Sequence, residues 1–138
     1  MIDTESECNM DTKYCKLIGT QERIDKFTEG LPCSIDQLVE LVESTLDMWP
    51  NYINISVYLY DTVRDVQRRY YELHQQNCGQ KAFWKKGMKA MYIAVEDFNT
   101  DVVIHQLGHL ILEAKYPNFP AKFHEDFAKY CVRNVVIR

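Results

Sequence analysis

An apolar stretch in the last third of the chain, residues 102–112, carries two histidines four positions apart, His105 and His109. Nearly all of its other residues are apolar, which predicts a helix that is buried on most of its faces. Residues four apart lie on the same side of a helix, one turn above the other. Buried imidazoles need partners for their ring nitrogens, and one metal ion would serve both. The stretch therefore predicts a central helix that carries part of a metal site.

The run His105-Gln106-Leu107-Gly108-His109 resembles the H-E-x-x-H helix of zincin-type zinc metallopeptidases. Val102 ahead of it matches the family's common V-x-x-H-E-L-G-H form. The departure is Gln106, which stands where the family has glutamate. In that family the glutamate is the general base that takes a proton from water at the zinc ion, and a neutral amide has no basic lone pair for this task.

Catalytic zinc sites use three protein ligands, so the histidine pair requires one more donor. Glu125 is the favoured third ligand, because the residues Glu125 to Ala128 resemble the E-x-x-A ligand helix of gluzincins, the zincins with a glutamate ligand. A helical wheel also places Glu125 in an apolar stripe and Asp126 towards solvent. His124 is the alternative, since it too lies on a partly apolar face and imidazole is a good zinc donor.

The periodicity of apolar residues predicts an α+β fold, with a small, mainly antiparallel sheet packed on helices around the histidine helix. The resemblance implies a minimal zincin-like domain of the gluzincin kind. Residues 1–20 are predicted to form a flexible arm and residues 21–138 a single domain, with a short edge strand at 21–28. We predict helices from the capping box at Ser34 to Pro50, from Thr62 to about Gln76, from Asn99 or Thr100 through the histidines, and from about Ala121 to Asn134. We predict strands at 53–60, 82–84 and 89–95.

In zincins an edge strand beside the metal helix binds the substrate as an added strand. The candidate for that role here is the segment Met91, Tyr92, Ile93, Ala94 and Val95. An ordinary sheet strand is the alternative interpretation of this segment.

Charge and cysteine content limit the function further. The chain of 138 residues has a formal net charge of −4 and a pI near 5.5, which argues against binding nucleic acid. Five cysteines without a C-x-x-C pair, and no secretory leader, predict a cytoplasmic protein with free thiols. Its apolar runs are shorter than the roughly twenty residues that a membrane span needs.

The resemblance implies a zinc metallopeptidase-like protein that acts on, or binds, a peptide or protein, with its general base lost or disabled at Gln106. Either the chain is a natural pseudoenzyme, or glutamine was introduced to disable a peptidase. The alternative function is a non-catalytic module, which binds zinc or interacts with a protein partner without a metal.

Overall fold

The computed structural model describes residues 7–77, 79–96 and 98–137. In chain order its elements are β1 (Cys8–Asp11), β2 (Cys15–Gly19), α1 (Gln21–Gly30), α2 (Ile35–Leu46), β3 (Ile55–Tyr60), α3 (Val63–His74), β4 (Ala82–Lys85), β5 (Ala90–Ala94), α4 (Thr100–Lys115) and α5 (Ala121–Asn134). The predicted α+β class is confirmed.

The five strands form one sheet in the order β1-β2-β3-β5-β4. Its outer pairs, β1–β2 and β4–β5, are antiparallel, whereas the inner pairs, β2–β3 and β3–β5, are parallel. The sheet is therefore mixed, because helices cross over between β2 and β3 and between β3 and β5. Helix α3 packs on one face of this sheet, and α1, α2, α4 and α5 build the larger core on the other.

The prediction of a flexible arm is wrong for residues 8–19, which form β1 and β2; residues 1–6 lie outside the described part. Alternate residues of β2 are buried, starting with Cys15 and Leu17. The turn between the two strands is held by Asp36 at the start of α2. Its carboxylate accepts hydrogen bonds from the Thr12 hydroxyl at 2.8 Å and from the Tyr14 backbone N–H at 3.0 Å.

The prediction of an edge strand at residues 21–28 is also wrong, because this segment is helix α1. Its buried residues Ile24 and Phe27 are three positions apart, which fits a helical period as well as a short strand. The Thr20 side chain caps the helix by accepting a hydrogen bond from the Arg23 backbone N–H. This cap was the local signal for a helix.

The other predicted elements are confirmed, with ends shifted by a few residues. The Ser34–Gln37 capping box starts α2, and β3 buries alternate residues. The β4–β5 hairpin turns at Gly87, whose φ of 82° favours glycine. Helix α5 spans the predicted residues.

The predicted substrate strand is not at an edge. Residues 91–94 belong to β5, which is hydrogen-bonded to β3 on one side and to β4 on the other. All five residues of β5 are buried, as is Val95. Because both sides of its backbone are paired, this strand cannot accept an added one, and the edge strand of this half of the sheet is β4.

Helix α4 runs through the core, as predicted. From Val103 to Glu113 all of its residues are buried except His105, which is half-buried. Within the described residues, no helix is both long enough and apolar enough to cross a membrane.

Candidate metal centre

The two histidines of α4 occupy one side of the helix, one turn apart, as their spacing predicts. Their ring centroids are 5.1 Å apart. The ring of His109 is buried, whereas that of His105 reaches a cleft at the surface. One helix face therefore presents two imidazoles of different exposure.

Helix α5 brings Glu125 to this face because α4 and α5 pack closely at Gly108. A Cβ atom at Gly108 would lie 3.1 Å from the Cα atom of Ala128 and 3.3 Å from Sγ of Cys131. The absence of a side chain therefore permits the close approach. The segment 116–120 reverses the chain between the two helices.

The Glu125 carboxylate lies between the two imidazoles. Its Oε1 atom is 2.7 Å from Nε2 of His105, and its Oε2 atom is 3.1 Å from Nε2 of His109. The three potential ligand atoms all lie within 4.8 Å of one another. The favoured trio of the sequence analysis is thus brought together, and two imidazole nitrogens with one carboxylate oxygen form a group that could hold a metal ion.

The alternative ligand, His124, lies outside this trio. Its Nδ1 atom is 2.8 Å from Nδ1 of His109, on the side of that ring opposite to Glu125. Trp84 of β4 stacks on both imidazoles, with ring centroids 5.0 Å from His109 and 4.9 Å from His124. His124 therefore contacts the candidate ligand His109 at the ring nitrogen that faces away from Glu125.

Burial favours the neutral form of both rings. It lowers the pKa of His109 to about 4; the nearby Glu125 opposes this shift, and His105 and His124 add to it. Burial also lowers the pKa of His124. Because metals bind neutral imidazole, the pKa of His109 places this candidate ligand in the required form at neutral pH.

Glu125 is more exposed than the helical wheel predicted. Its side chain is 49% exposed, and the buried stripe of α5 consists of His124, Ala128 and Cys131. The buried face of α5 is therefore centred one residue away from the predicted stripe, at His124 and not at Glu125. The carboxylate nevertheless faces both histidines from the rim of the core.

Gln106 lies next to this group, in the wall of a cleft of about 450 Å³ that His105 and Glu125 also line. The residue is only 6% exposed. Its Oε1 atom is buried and has no hydrogen-bond partner among the described residues. Within the part of the chain that the structure describes, a buried acceptor atom of Gln106 is therefore left unsatisfied, which is uncommon in folded proteins.

Sequence reasoning missed two residues that support the site, Trp84 and Glu113. Glu113 is buried, and its Oε1 atom accepts a hydrogen bond of 3.0 Å from the backbone N–H of Gly87. This contact ties α4 to the turn after Trp84. The sequence signal for this role was the position of Glu113, four residues after His109 in an apolar run.

Comparisons of the chain with protein-family models, curated proteins and solved structures found no match.

Proposed function

We propose that this protein binds a zinc ion through His105, His109 and Glu125 and has the scaffold of a zinc metallopeptidase, with peptide hydrolysis disabled at Gln106. The observation that carries the proposal is the convergence of three ligand atoms from two helices within 4.8 Å. The resemblance of residues 105–109 to the H-E-x-x-H helix supports the same proposal from the sequence.

The donor set favours zinc over other common ions. Calcium and magnesium prefer oxygen ligands in larger number, whereas two imidazoles and one carboxylate suit zinc and leave its fourth position open. The Glu125 carboxylate lies within hydrogen-bond distance of both imidazole rings, so each ring can donate a hydrogen bond to it from Nε2. A bound zinc ion would supply Lewis acidity for attack on a carbonyl group.

The side-chain amide of Gln106 accounts for the proposed lack of peptide hydrolysis. The amide can accept or donate a hydrogen bond in the cleft, but it cannot take up a proton at neutral pH. A general base contributes a factor of about 10² to 10⁴ to the rate. Its loss raises the barrier by on the order of 3 to 5 kcal/mol.

A peptide would reach this site along β4. This strand is the outermost on its side of the sheet, so its outer backbone edge is available among the described residues. Its first residue, Ala82, and the preceding Lys81 line the same cleft as His105 and Gln106. An extended peptide paired with β4 would pass the candidate metal centre.

A second candidate function uses the same site without hydrolysis, as a zinc-binding or protein-interaction module. The amide at Gln106 favours it, because a site that only binds needs no base. The two functions differ in what glutamate at position 106 would do.

The deciding experiment compares the wild-type protein with Gln106→Glu, both loaded with zinc, on a mixed peptide library. The matched control is Gln80→Glu, which adds the same charge at the rim of the same cleft. We expect Gln106→Glu to cleave at least about 100-fold faster than the other two, with activity lost on chelation.

Chelator-sensitive cleavage by the wild-type protein would show that Gln106 does not disable the site. If none of the three zinc-loaded proteins cleaved any peptide, the non-catalytic module would be favoured.

A further inference from the structure

A separate pocket of about 370 Å³ lies between the C-terminal half of α2, the β1–β2 turn and the segment 49–53. Among the residues that the structure describes, it shares none of its lining with the clefts at the candidate metal centre. The residues that matter for its chemistry are Lys13, Tyr14, Glu43, Trp49 and Tyr52. The pocket thus combines a carboxylate with three aromatic rings.

Glu43 is the most buried polar residue of this pocket, with 4% of its surface exposed. Among the described residues its carboxylate has no hydrogen-bond donor. Burial raises its pKa, nearby Glu40 adds to the shift, and Lys13 opposes it. A buried carboxylate without a partner is costly when ionised, and a cation in the pocket would offset that cost.

The aromatic rings are unusually open to solvent for their size. Trp49 is 51% exposed and Tyr52 is 71% exposed, so neither contributes much to the core. The hydroxyl of Tyr14 donates a hydrogen bond of 2.8 Å to Glu40 Oε2, which holds that ring in place. The faces of such rings attract cations.

Cations of the protein itself already lie over two of these rings. The Lys13 ammonium is 5.1 Å from the centroid of Tyr14, and the Lys89 ammonium is 6.0 Å from that of Tyr52. Lys13 also lies 3.8 Å from Glu40, but its side chain is 69% exposed and can leave. The pocket therefore attracts positive charge without holding it firmly.

We infer that this pocket binds a methylated ammonium group, through the faces of Trp49 and Tyr52 and the carboxylate of Glu43. A methylated ammonium is weakly hydrated and presents methyl groups to aromatic walls, whereas a bare ammonium is strongly hydrated and loses more on entry. The carboxylate supplies the charge that distinguishes the cation from a neutral group of the same shape.

The test is calorimetric titration of the full chain with choline, Nε-trimethyllysine and 3,3-dimethylbutan-1-ol, the neutral isostere of choline. We expect at least one of the cations to bind at least tenfold more tightly than the neutral alcohol. Glu43→Gln and Trp49→Leu should each weaken that binding at least tenfold, whereas Lys13→Gln should strengthen it. Tyr71→Leu, which removes an equally exposed ring on α3, is the control and should change nothing.

Preference for choline would indicate a free small molecule, and preference for trimethyllysine a modified side chain; either supports the inference. It would be overturned by equal binding of the neutral alcohol, by undiminished cation binding in a folded Glu43→Gln variant, or by no saturable binding of either cation. Circular dichroism would establish that each variant is folded.

Discussion

The Nδ1 atoms of His109 and His124 lie 2.8 Å apart, with the two rings within 11° of parallel. One nitrogen must donate and the other accept. Nε2 of His109 can donate to Glu125 at 3.1 Å, and its Nδ1 then accepts from His124. If Nε2 of His109 were to hold a metal ion, its ring proton would be on Nδ1, and His124 would accept the hydrogen bond. Nδ1 of His124 can donate or accept this hydrogen bond, because it carries the ring proton in one tautomer of neutral imidazole and lacks it in the other.

We therefore expect His124→Ala to lower zinc affinity by about 10- to 100-fold, the usual effect of removing a partner that orients a metal ligand. Asp126→Ala, an exposed change on the same helix, is the control. Competition with a chromogenic chelator would measure both. An unchanged affinity in His124→Ala would contradict the supporting role, and a loss as large as that of Glu125→Ala would make His124 a direct ligand.

The contact of α4 with α5 at Gly108 predicts that Gly108→Ala destabilises the protein. Alanine favours a helix over glycine by about 1 kcal/mol. Its Cβ atom would, however, lie 3.1 Å from the Cα atom of Ala128, and backbone cannot move aside as a side chain can. Overpacking costs about 1 to 3 kcal/mol, so we expect a net loss of up to about 2 kcal/mol, measured by urea unfolding. Gly79→Ala is the control because a Cβ atom there meets nothing within 4 Å; a Gly108→Ala variant more stable than wild type would contradict the account.

The three hydrogen bonds that the Asp36 carboxylate accepts predict a role in docking the N-terminal strands. They come from the Thr12 hydroxyl, the Lys13 backbone N–H and the Tyr14 backbone N–H, at 2.8, 2.9 and 3.0 Å. We expect Asp36→Ala to lower the free energy of unfolding by about 1 to 3 kcal/mol and to speed hydrogen exchange in β1 and β2. Wild-type exchange rates in these strands would show that the carboxylate does not hold them.

The raised pKa of Glu43 predicts a pH-dependent effect of Glu43→Gln on stability. Because the folded-state pKa lies above the unfolded one, this group's contribution is full at low pH and is lost as the pH rises through the folded-state pKa. Ionisation of this mostly buried carboxylate therefore costs more stability as the pH rises, and glutamine removes that cost. The variant should therefore melt at a higher temperature than wild type at pH 7.5, with a smaller difference at pH 4. A lower melting temperature at pH 7.5 would contradict this.

The helices of the candidate site could be predicted because their signals are local. The spacing of His105 and His109 sets their common face, and the Glu125–Ala128 pattern marks the next helix. The two predictions at the N-terminus failed for different reasons. Helix α1 has only Ile24 and Phe27 as buried residues, too few to establish a period. Strand β2 depends on pairing with β3, β1 on pairing with β2, and the turn between them on Asp36.

Contacts between segments far apart in the sequence could not be predicted from local sequence patterns. The insertion of β5 between β3 and β4 decides which strand forms the edge, yet no residue of β5 marks it. The stacking of Trp84 on His109 depends on this same strand order, as does the tie between Glu113 and Gly87. The sequence indicated that His124 lies on a partly apolar face of its helix, but not that it contacts the ring of His109.

Zinc binding by the trio His105, His109 and Glu125 is tested most directly by titrating metal-stripped protein with zinc. We predict one ion per chain, a higher melting temperature with zinc, and an affinity at least about 100-fold lower in each of His105→Ala, His109→Ala and Glu125→Ala. It would be contradicted by a folded wild-type protein that binds no zinc, or by wild-type affinity in folded His105→Ala and Glu125→Ala variants.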